Sequence, residues 1–128
     1  MEQQPNLSDL ASKRKVGSLL ANGLYSISFS AGPGQPGGAG VIVLCDGVLL
    51  GGDSSLLYKG TYQQRDGKFF ATVSTSRHAH DQPSLFGLDN ATMSFVGTII
   101  RGNAVGFGTS TEVPDIKLEV HLKFRAPI

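Results

Sequence analysis

The segment most informative about the fold is residues 116–124, which read Ile116-Lys117-Leu118-Glu119-Val120-His121-Leu122-Lys123-Phe124. Apolar side chains occupy every second position, and charged or polar side chains occupy the positions between them. Because successive side chains of a β-strand point to opposite faces of the sheet, this spacing predicts a strand with one apolar face. A helix would instead place apolar residues three and four positions apart.

The same alternation of apolar and polar residues recurs along the chain from Gly23 onward. Near its start, Tyr25, Ile27 and Phe29 alternate with serines. Later apolar runs are separated by Asp-Gly pairs at 46–47 and 66–67 and by the turn residues 101–103. Asp-Gly is a strong signal for a hairpin with a two-residue turn. We predict strands at residues 25–30, 39–45, 48–50, 57–62, 69–74, 92–100, 104–109 and 116–124.

These short strands predict an all-β fold in which antiparallel neighbours follow one another along the chain. Each strand has one apolar face, so the sheet must curl round on itself or pack against a second sheet. Closure also removes the exposed edges that promote aggregation, and about eight strands suit an up-and-down barrel. Such an interior is wide enough to be filled by side chains or to hold one small ligand. A β-sandwich is the alternative architecture.

The chain divides into a short leader at residues 1–22 and a barrel domain at residues 23–128. The leader is polar, carries Pro5, and offers Asn6 or Ser8 as a possible helix cap. We expect it to be partly disordered or helical. The barrel domain has a use for most of the 17 glycines, because tight turns and strongly coiled strands require them.

Composition argues against several classes of function. The net charge of +1 gives no field that would hold a nucleic acid, and no apolar run approaches the length of about 20 residues that spans a membrane. Cys45 is the single cysteine, so no internal disulfide can form. Residues 32–37 match the letters of a dinucleotide fingerprint, but a strand follows them where a helix is needed. We expect a cytoplasmic protein without a cofactor.

No catalytic or metal-binding arrangement emerges from the residues. His78, His80 and Asp81 form the one cluster of metal-ligand types, and a zinc site would also need His121 to approach across the fold. An exposed polar loop is the preferred interpretation of this cluster. Most aspartates sit beside turn residues, where turn formation explains them. We therefore expect no metal site and no enzyme activity.

The strand pattern also gives candidates for the barrel interior. They are the apolar residues expected to point inward: Tyr25, Ile27, Phe29, Phe69, Val73, Met93, Phe95 and Phe107. These side chains either fill the core or surround a small apolar ligand, and a void of a few hundred Å3 distinguishes the two possibilities. Gly51-Gly52-Asp53 is interpreted as a structural corner, in which Asp53 accepts hydrogen bonds from the N–H groups of Ser54 or Ser55.

Several short motifs resemble the GrlR-type negative regulators of type III secretion. They are Gly23-Leu24-Tyr25-Ser26-Ile27, the corner Gly51-Gly52-Asp53, Tyr58 with Gly60, and the closing Lys123-Phe124 followed by Pro127. The resemblance covers roughly residues 23–128 and leaves the leader unmatched.

The resemblance implies a lipocalin-like (calycin-like) barrel without catalytic machinery that forms a homodimer. It also implies a regulatory role in which the protein sequesters a protein partner such as a transcriptional activator. In the family this contact uses an acidic loop between two middle strands, and the matching turn here contains Gln63, Gln64, Arg65 and Asp66. Gly51, Gly52, Asp53, Tyr58 and Gly60 are expected to be structural. The alternative function is that of a carrier or sensor for a small apolar ligand.

Overall fold

The computed structural model describes residues 19–35, 37–80 and 89–128. This part of the chain contains eight strands and no helix: β1 (Gly23–Ser30), β2 (Gly37–Cys45), β3 (Val48–Gly52), β4 (Leu56–Arg65), β5 (Lys68–Arg77), β6 (Thr92–Ile100), β7 (Asn103–Ser110) and β8 (Lys117–Pro127). Residues 1–18 of the predicted leader (1–22) and Asp81 lie outside the described residues.

The eight strands form one closed antiparallel barrel with up-and-down order. Each strand pairs with the next along the chain, and β8 pairs with β1 to complete the ring. In the closing pair Ile27 lies opposite Leu122 and Phe29 lies opposite Val120. The predicted barrel is therefore confirmed, and the sandwich alternative is wrong, because every strand finds both of its partners in one sheet.

The two ends of the barrel differ. The hairpin end carries three two-residue turns, Asp46-Gly47, Asp66-Gly67 and Arg101-Gly102, and both residues of each turn have positive φ. This is the backbone of a type I′ turn, whose twist matches that of the strands it joins. The opposite end, here called the loop end, carries the connections that follow β1, β3, β5 and β7.

The inner face follows the predicted alternation. Tyr25, Leu44 and Phe69 are fully buried, and Leu118 and Leu122 of β8 are almost fully buried. Lys117, His121 and Lys123, between and beside them, are exposed. A closed barrel of eight strands has two surfaces, so one apolar face per strand is enough to build the core.

The prediction that Phe107 faces the interior is wrong. Phe107 lies on the outer surface of β7 with 47% of its area exposed, and the Nζ atom of Lys117 lies 4.4 Å from the centre of its ring. The inner face of β7 instead carries Gly106 and Gly108, both buried. At Gly106 the backbones of β6 and β7 are too close for a side chain, because a Cβ atom there would lie 2.0 Å from the Val96 carbonyl oxygen.

Candidate ligand-binding site

A cavity of about 430 Å3 occupies the half of the barrel nearer the loop end. This volume lies within the range of roughly 300–1,000 Å3 that small-molecule sites have. The walls are mostly apolar and come from seven of the strands, with these side chains: Ile27, Phe29, Ala39, Ile42, Leu49, Leu56, Phe69, Ala71, Val73, Met93, Phe95, Leu118, Val120 and Leu122. The interior is therefore not completely filled by the protein's own side chains.

Small residues in the wall leave this space open. Gly38, Ala71 and Gly108 all line the cavity. The atoms nearest to a Cβ atom placed on Gly108 would be the end of Met93 at 3.3 Å, a methyl group of Val120 at 3.8 Å and the Ser94 carbonyl oxygen at 3.9 Å. These residues have little or no side chain to extend inward, so the larger side chains opposite them stand back from one another.

The hairpin end of the barrel is plugged by the segment before β1. Leu20 is 3% exposed, and its backbone N–H donates to Oε1 of Gln64 at 2.6 Å. The Gln64 amide donates in return to the Leu20 carbonyl at 3.1 Å, and the Tyr25 hydroxyl donates to the Ala21 carbonyl at 2.6 Å. These bonds fix an apolar side chain across this end, so the free space lies toward the loop end.

The structure brings six of the eight interior candidates together around the cavity: Ile27, Phe29, Phe69, Val73, Met93 and Phe95. Tyr25 is buried at the hairpin end, where its ring packs edge-on against Phe124 at 5.4 Å between centroids. Phe107 lies outside the barrel, as described above. The alternation pattern thus identified most of the wall.

The four predicted partner-loop residues do not form a loop. Gln63, Gln64 and Arg65 belong to β4, and only Asp66 lies in the turn that follows. Gln64 is on the inner face and is held by Leu20, so it cannot present its amide to a partner. Gln63, Arg65 and Asp66 are exposed, and the Arg65 guanidinium lies 5.7 Å from the centre of the Phe70 ring.

Asp53 organises the corner between β3 and β4. One carboxylate oxygen accepts hydrogen bonds from the backbone N–H groups of Ser55 at 2.8 Å and Leu56 at 2.7 Å. The other oxygen accepts a hydrogen bond from the Tyr58 hydroxyl. Asp53, Ser54, Ser55 and Tyr58 all line the cavity, so this corner supplies most of its polar wall.

Close backbone approach, and not positive φ, explains the glycines next to this corner. A Cβ atom on Gly51 would lie 2.1 Å from the Val41 carbonyl oxygen, and one on Gly60 would lie 2.1 Å from that of Thr72. On Gly52 it would lie 2.6 Å from the Leu56 carbonyl oxygen. The strands can approach so closely only where side chains are absent.

All three tyrosines of the chain have raised pKa values. Burial raises the pKa of Tyr25 to about 12. Burial, and then the hydrogen bond to Asp53, raise the pKa of Tyr58, and burial raises that of Tyr62. Tyrosines in an unfolded chain ionise near pH 10. The folded state therefore favours the protonated phenols.

We expect the stability of the protein to be independent of these tyrosines below about pH 10 and to fall as the pH rises above it. The unfolded chain then loses phenolic protons that the folded chain retains. Phenolate absorbance should appear only together with the loss of the far-ultraviolet circular dichroism of the strands. A phenolate signal near pH 10 with the strand signal intact would contradict the burial of these rings.

The histidines do not assemble into a metal site. The His78 ring contacts the Asp53 carbonyl oxygen at 2.8 Å, whereas His121 lies on the outer face of β8 beside Glu119 at 2.7 Å. His80 is exposed, and Asp81 is not described. Within residues 19–35, 37–80 and 89–128, no three His, Cys, Asp or Glu side chains are grouped so that they could hold a metal ion.

Comparison with known proteins does not assign this chain to a family. No protein-family model matches it, and no curated protein matches its sequence. In the described part of the chain, no helix is long and apolar enough to span a membrane. The properties of the cavity and of the outer surface therefore carry the functional argument.

Proposed function

We propose that this protein is a non-enzymatic binding protein that holds one small apolar molecule inside its barrel. The observation that carries the proposal is the cavity of about 430 Å3 with its almost continuous apolar wall. Ligand sites of this kind combine an apolar lining with a few placed polar groups. Here most of the polar groups lie at the corner at Asp53, Ser54, Ser55 and Tyr58, and Thr75 on β5 adds another.

A bound apolar molecule would stabilise the barrel. Side chains that face a void lack partners for dispersion contacts, and an apolar ligand supplies them. A ligand that binds only the folded state, at about 100 times its Kd, contributes about 2.7 kcal/mol of stability. Binding therefore has two independent readouts, the signal of the ligand itself and the unfolding temperature of the protein.

The proposal is tested by replacing a residue of the cavity wall with a larger one, whose side chain would occupy the cavity. Val73 faces the cavity, and its neighbour Thr72 faces solvent on the same strand. We expect Val73→Trp to weaken binding of an apolar fluorescent probe such as diphenylhexatriene by about tenfold or more, because the indole occupies the probe's volume. Thr72→Trp is the matched control and should leave probe affinity unchanged.

Probe fluorescence titrated with each protein gives the affinities, and the shift in unfolding temperature on adding probe gives a second measure. Equal affinity of wild type and Val73→Trp would place the probe outside the barrel and contradict the proposal. Failure of the wild-type protein to bind any apolar probe would do the same.

A second candidate function is regulatory binding of a protein partner, and the outer surface favours it. Val41, Val48, Leu50 and Leu57 on β2, β3 and β4 are each 46–50% exposed. Gly52 pairs with both Val41 and Leu57, and Leu50 pairs with Val43 and Lys59, so the exposed apolar side chains share the outer face of three neighbouring strands. Contiguous exposed apolar patches mark protein contacts. Homodimer formation and sequestration of an activator, as the family resemblance implies, belong to this candidate.

We expect the wild-type protein to be a dimer by light scattering, and Leu50→Lys to shift it toward the monomer by at least about tenfold in Kd. A lysine in the patch would place an unpaired charge in the contact. Thr72→Lys on the outer face of β5 is the control and should remain dimeric. A monomeric wild-type protein would contradict the dimer, and an unchanged Leu50→Lys dimer would place the contact elsewhere.

A cytoplasmic location belongs to the same proposal. The single cysteine, Cys45, is a partly exposed free thiol, which is compatible with a reducing compartment.

A further inference from the structure

We infer that the molecule held in the barrel carries a protonated amine at one end, bound at the corner between β3 and β4. This inference rests on the proposed function, because it specifies the chemistry of the ligand in the same cavity. Two observations at the corner carry it: within the described part of the chain, the Asp53 carboxylate has no cationic partner and the buried Ser55 hydroxyl group has no hydrogen-bonding partner.

The first observation is the charge of Asp53. Asp53 lines the cavity, and its carboxylate accepts three hydrogen bonds, all from neutral donors. Throughout the described residues, the ion pairs join other side chains, and no lysine or arginine lies within salt-bridge distance of Asp53. The nearby His78 ring contacts the Asp53 carbonyl oxygen and not the carboxylate. The cavity thus has a negative end without a counter-charge from the described residues.

The second observation is the hydroxyl group of Ser55. Ser55 is 8% exposed and lines the same end of the cavity. Its backbone N–H bonds to Asp53 and its carbonyl accepts from the His78 N–H, but its hydroxyl has no hydrogen bond to the described chain. Buried hydroxyl groups in folded proteins nearly always have a partner, so this one is available to a ligand.

The two groups together select a type of head group. An ammonium group can donate to the free lone pair of the Asp53 carboxylate and to the Ser55 hydroxyl oxygen at the same time, while an alkyl or aryl body fills the apolar cavity. An alcohol can make the same contacts without the charge attraction. A carboxylate head group would meet a like charge in a poorly solvated site. The expected order of affinity is amine, then alcohol, then acid.

The test compares decylamine, decanol and decanoate, which share one apolar chain and differ in the head group. Each competes with the apolar fluorescent probe on the wild-type protein at neutral pH, below its micellar concentration. We expect decylamine to displace the probe at a concentration about tenfold lower than decanoate, with decanol between them. The wild-type comparison decides the inference without any variant.

Two variants locate the effect. Asp53→Asn keeps an oxygen acceptor for the backbone N–H groups but removes the charge, and it should abolish the preference for decylamine over decanol. Ser55→Ala should weaken decylamine and decanol alike. If decanoate binds as tightly as decylamine while the probe still occupies the cavity, the amine inference is overturned and the proposed function stands. If the probe and all three decyl compounds fail to bind, both are overturned.

Discussion

Replacing Gly106 with alanine is expected to lower the free energy of unfolding by about 3 kcal/mol or more, the upper part of the range for overpacking. A Cβ atom at this position would lie 2.0 Å from the Val96 carbonyl oxygen and 2.4 Å from the Cα atom of Gly97. Both obstacles are backbone atoms, so no side-chain rotation relieves them. Gly97 and Gly106 lie directly opposite each other in the β6–β7 pair. The two strands would therefore have to separate at this point to accommodate the new Cβ atom.

Gly108→Ala is the matched control, since Gly108 is on the same strand and the same face. Its added Cβ atom would meet a flexible Met93 methyl group at 3.3 Å and no backbone atom closer than 3.9 Å. We expect a change in unfolding free energy of less than about 1 kcal/mol for this variant. Urea unfolding of both variants measures the difference, and equal stabilities would show that β6 and β7 do not approach as closely as described.

Replacing Asp53 with alanine should lower the free energy of unfolding by about 3 kcal/mol. Hydrogen bonds to a charged group contribute about 1.5–3 kcal/mol each, and their losses are not additive. The substitution leaves the N–H groups of Ser55 and Leu56 and the Tyr58 hydroxyl without their acceptor. Tyr58 is 8% exposed, so its hydroxyl has little access to water as a substitute partner.

Asp53→Asn and Tyr58→Phe make this prediction specific. The asparagine keeps one oxygen acceptor, and the phenylalanine removes a single hydrogen bond. Each substitution should therefore lower the free energy of unfolding by about 1 kcal/mol. The order of unfolding midpoints in urea should be wild type, then these two variants, then Asp53→Ala. An alanine variant as stable as the asparagine variant would mean that the carboxylate does not hold the corner.

The fold was predictable where local signals agree with one another. The alternation in β8 and the Asp-Gly turns at 46–47 and 66–67 each specify a strand or a hairpin from neighbouring residues alone. The sequence also indicates closure, because every strand carries one apolar face and needs a partner on both edges. The ends of strands were less accurate, since β4 and β5 continue several residues beyond the apolar cores that define them.

The errors concern contacts between distant segments. In β7 the alternation does not indicate which of the two faces is the inner one. We predicted that Phe107 faces inward because it is a large apolar residue, but the close approach of Gly97 to Gly106 places the glycines on the inner face. The plug at Leu20 depends on Gln64, which is 44 residues away in the sequence. A cavity depends on how small residues on several strands meet, which no single strand pattern contains.

The Asp53 corner lies between these two cases. Gly51-Gly52-Asp53 indicated a bend, and the bond from the Ser55 N–H followed from local geometry. The position of the carboxylate in a cavity wall did not, because it requires the barrel to close around it. A charge that serves a local turn therefore also lies at the end of the candidate ligand site.

The most direct test of the account is a crystal structure of the wild-type protein in complex with 1-iododecane, in which anomalous scattering locates the iodine atom. The account predicts one strong iodine peak inside the barrel, within van der Waals distance of wall residues such as Phe95 and Leu118. A peak found only on the outer face near Leu50 and Leu57, or a barrel interior without iodine at saturating concentration, would contradict it.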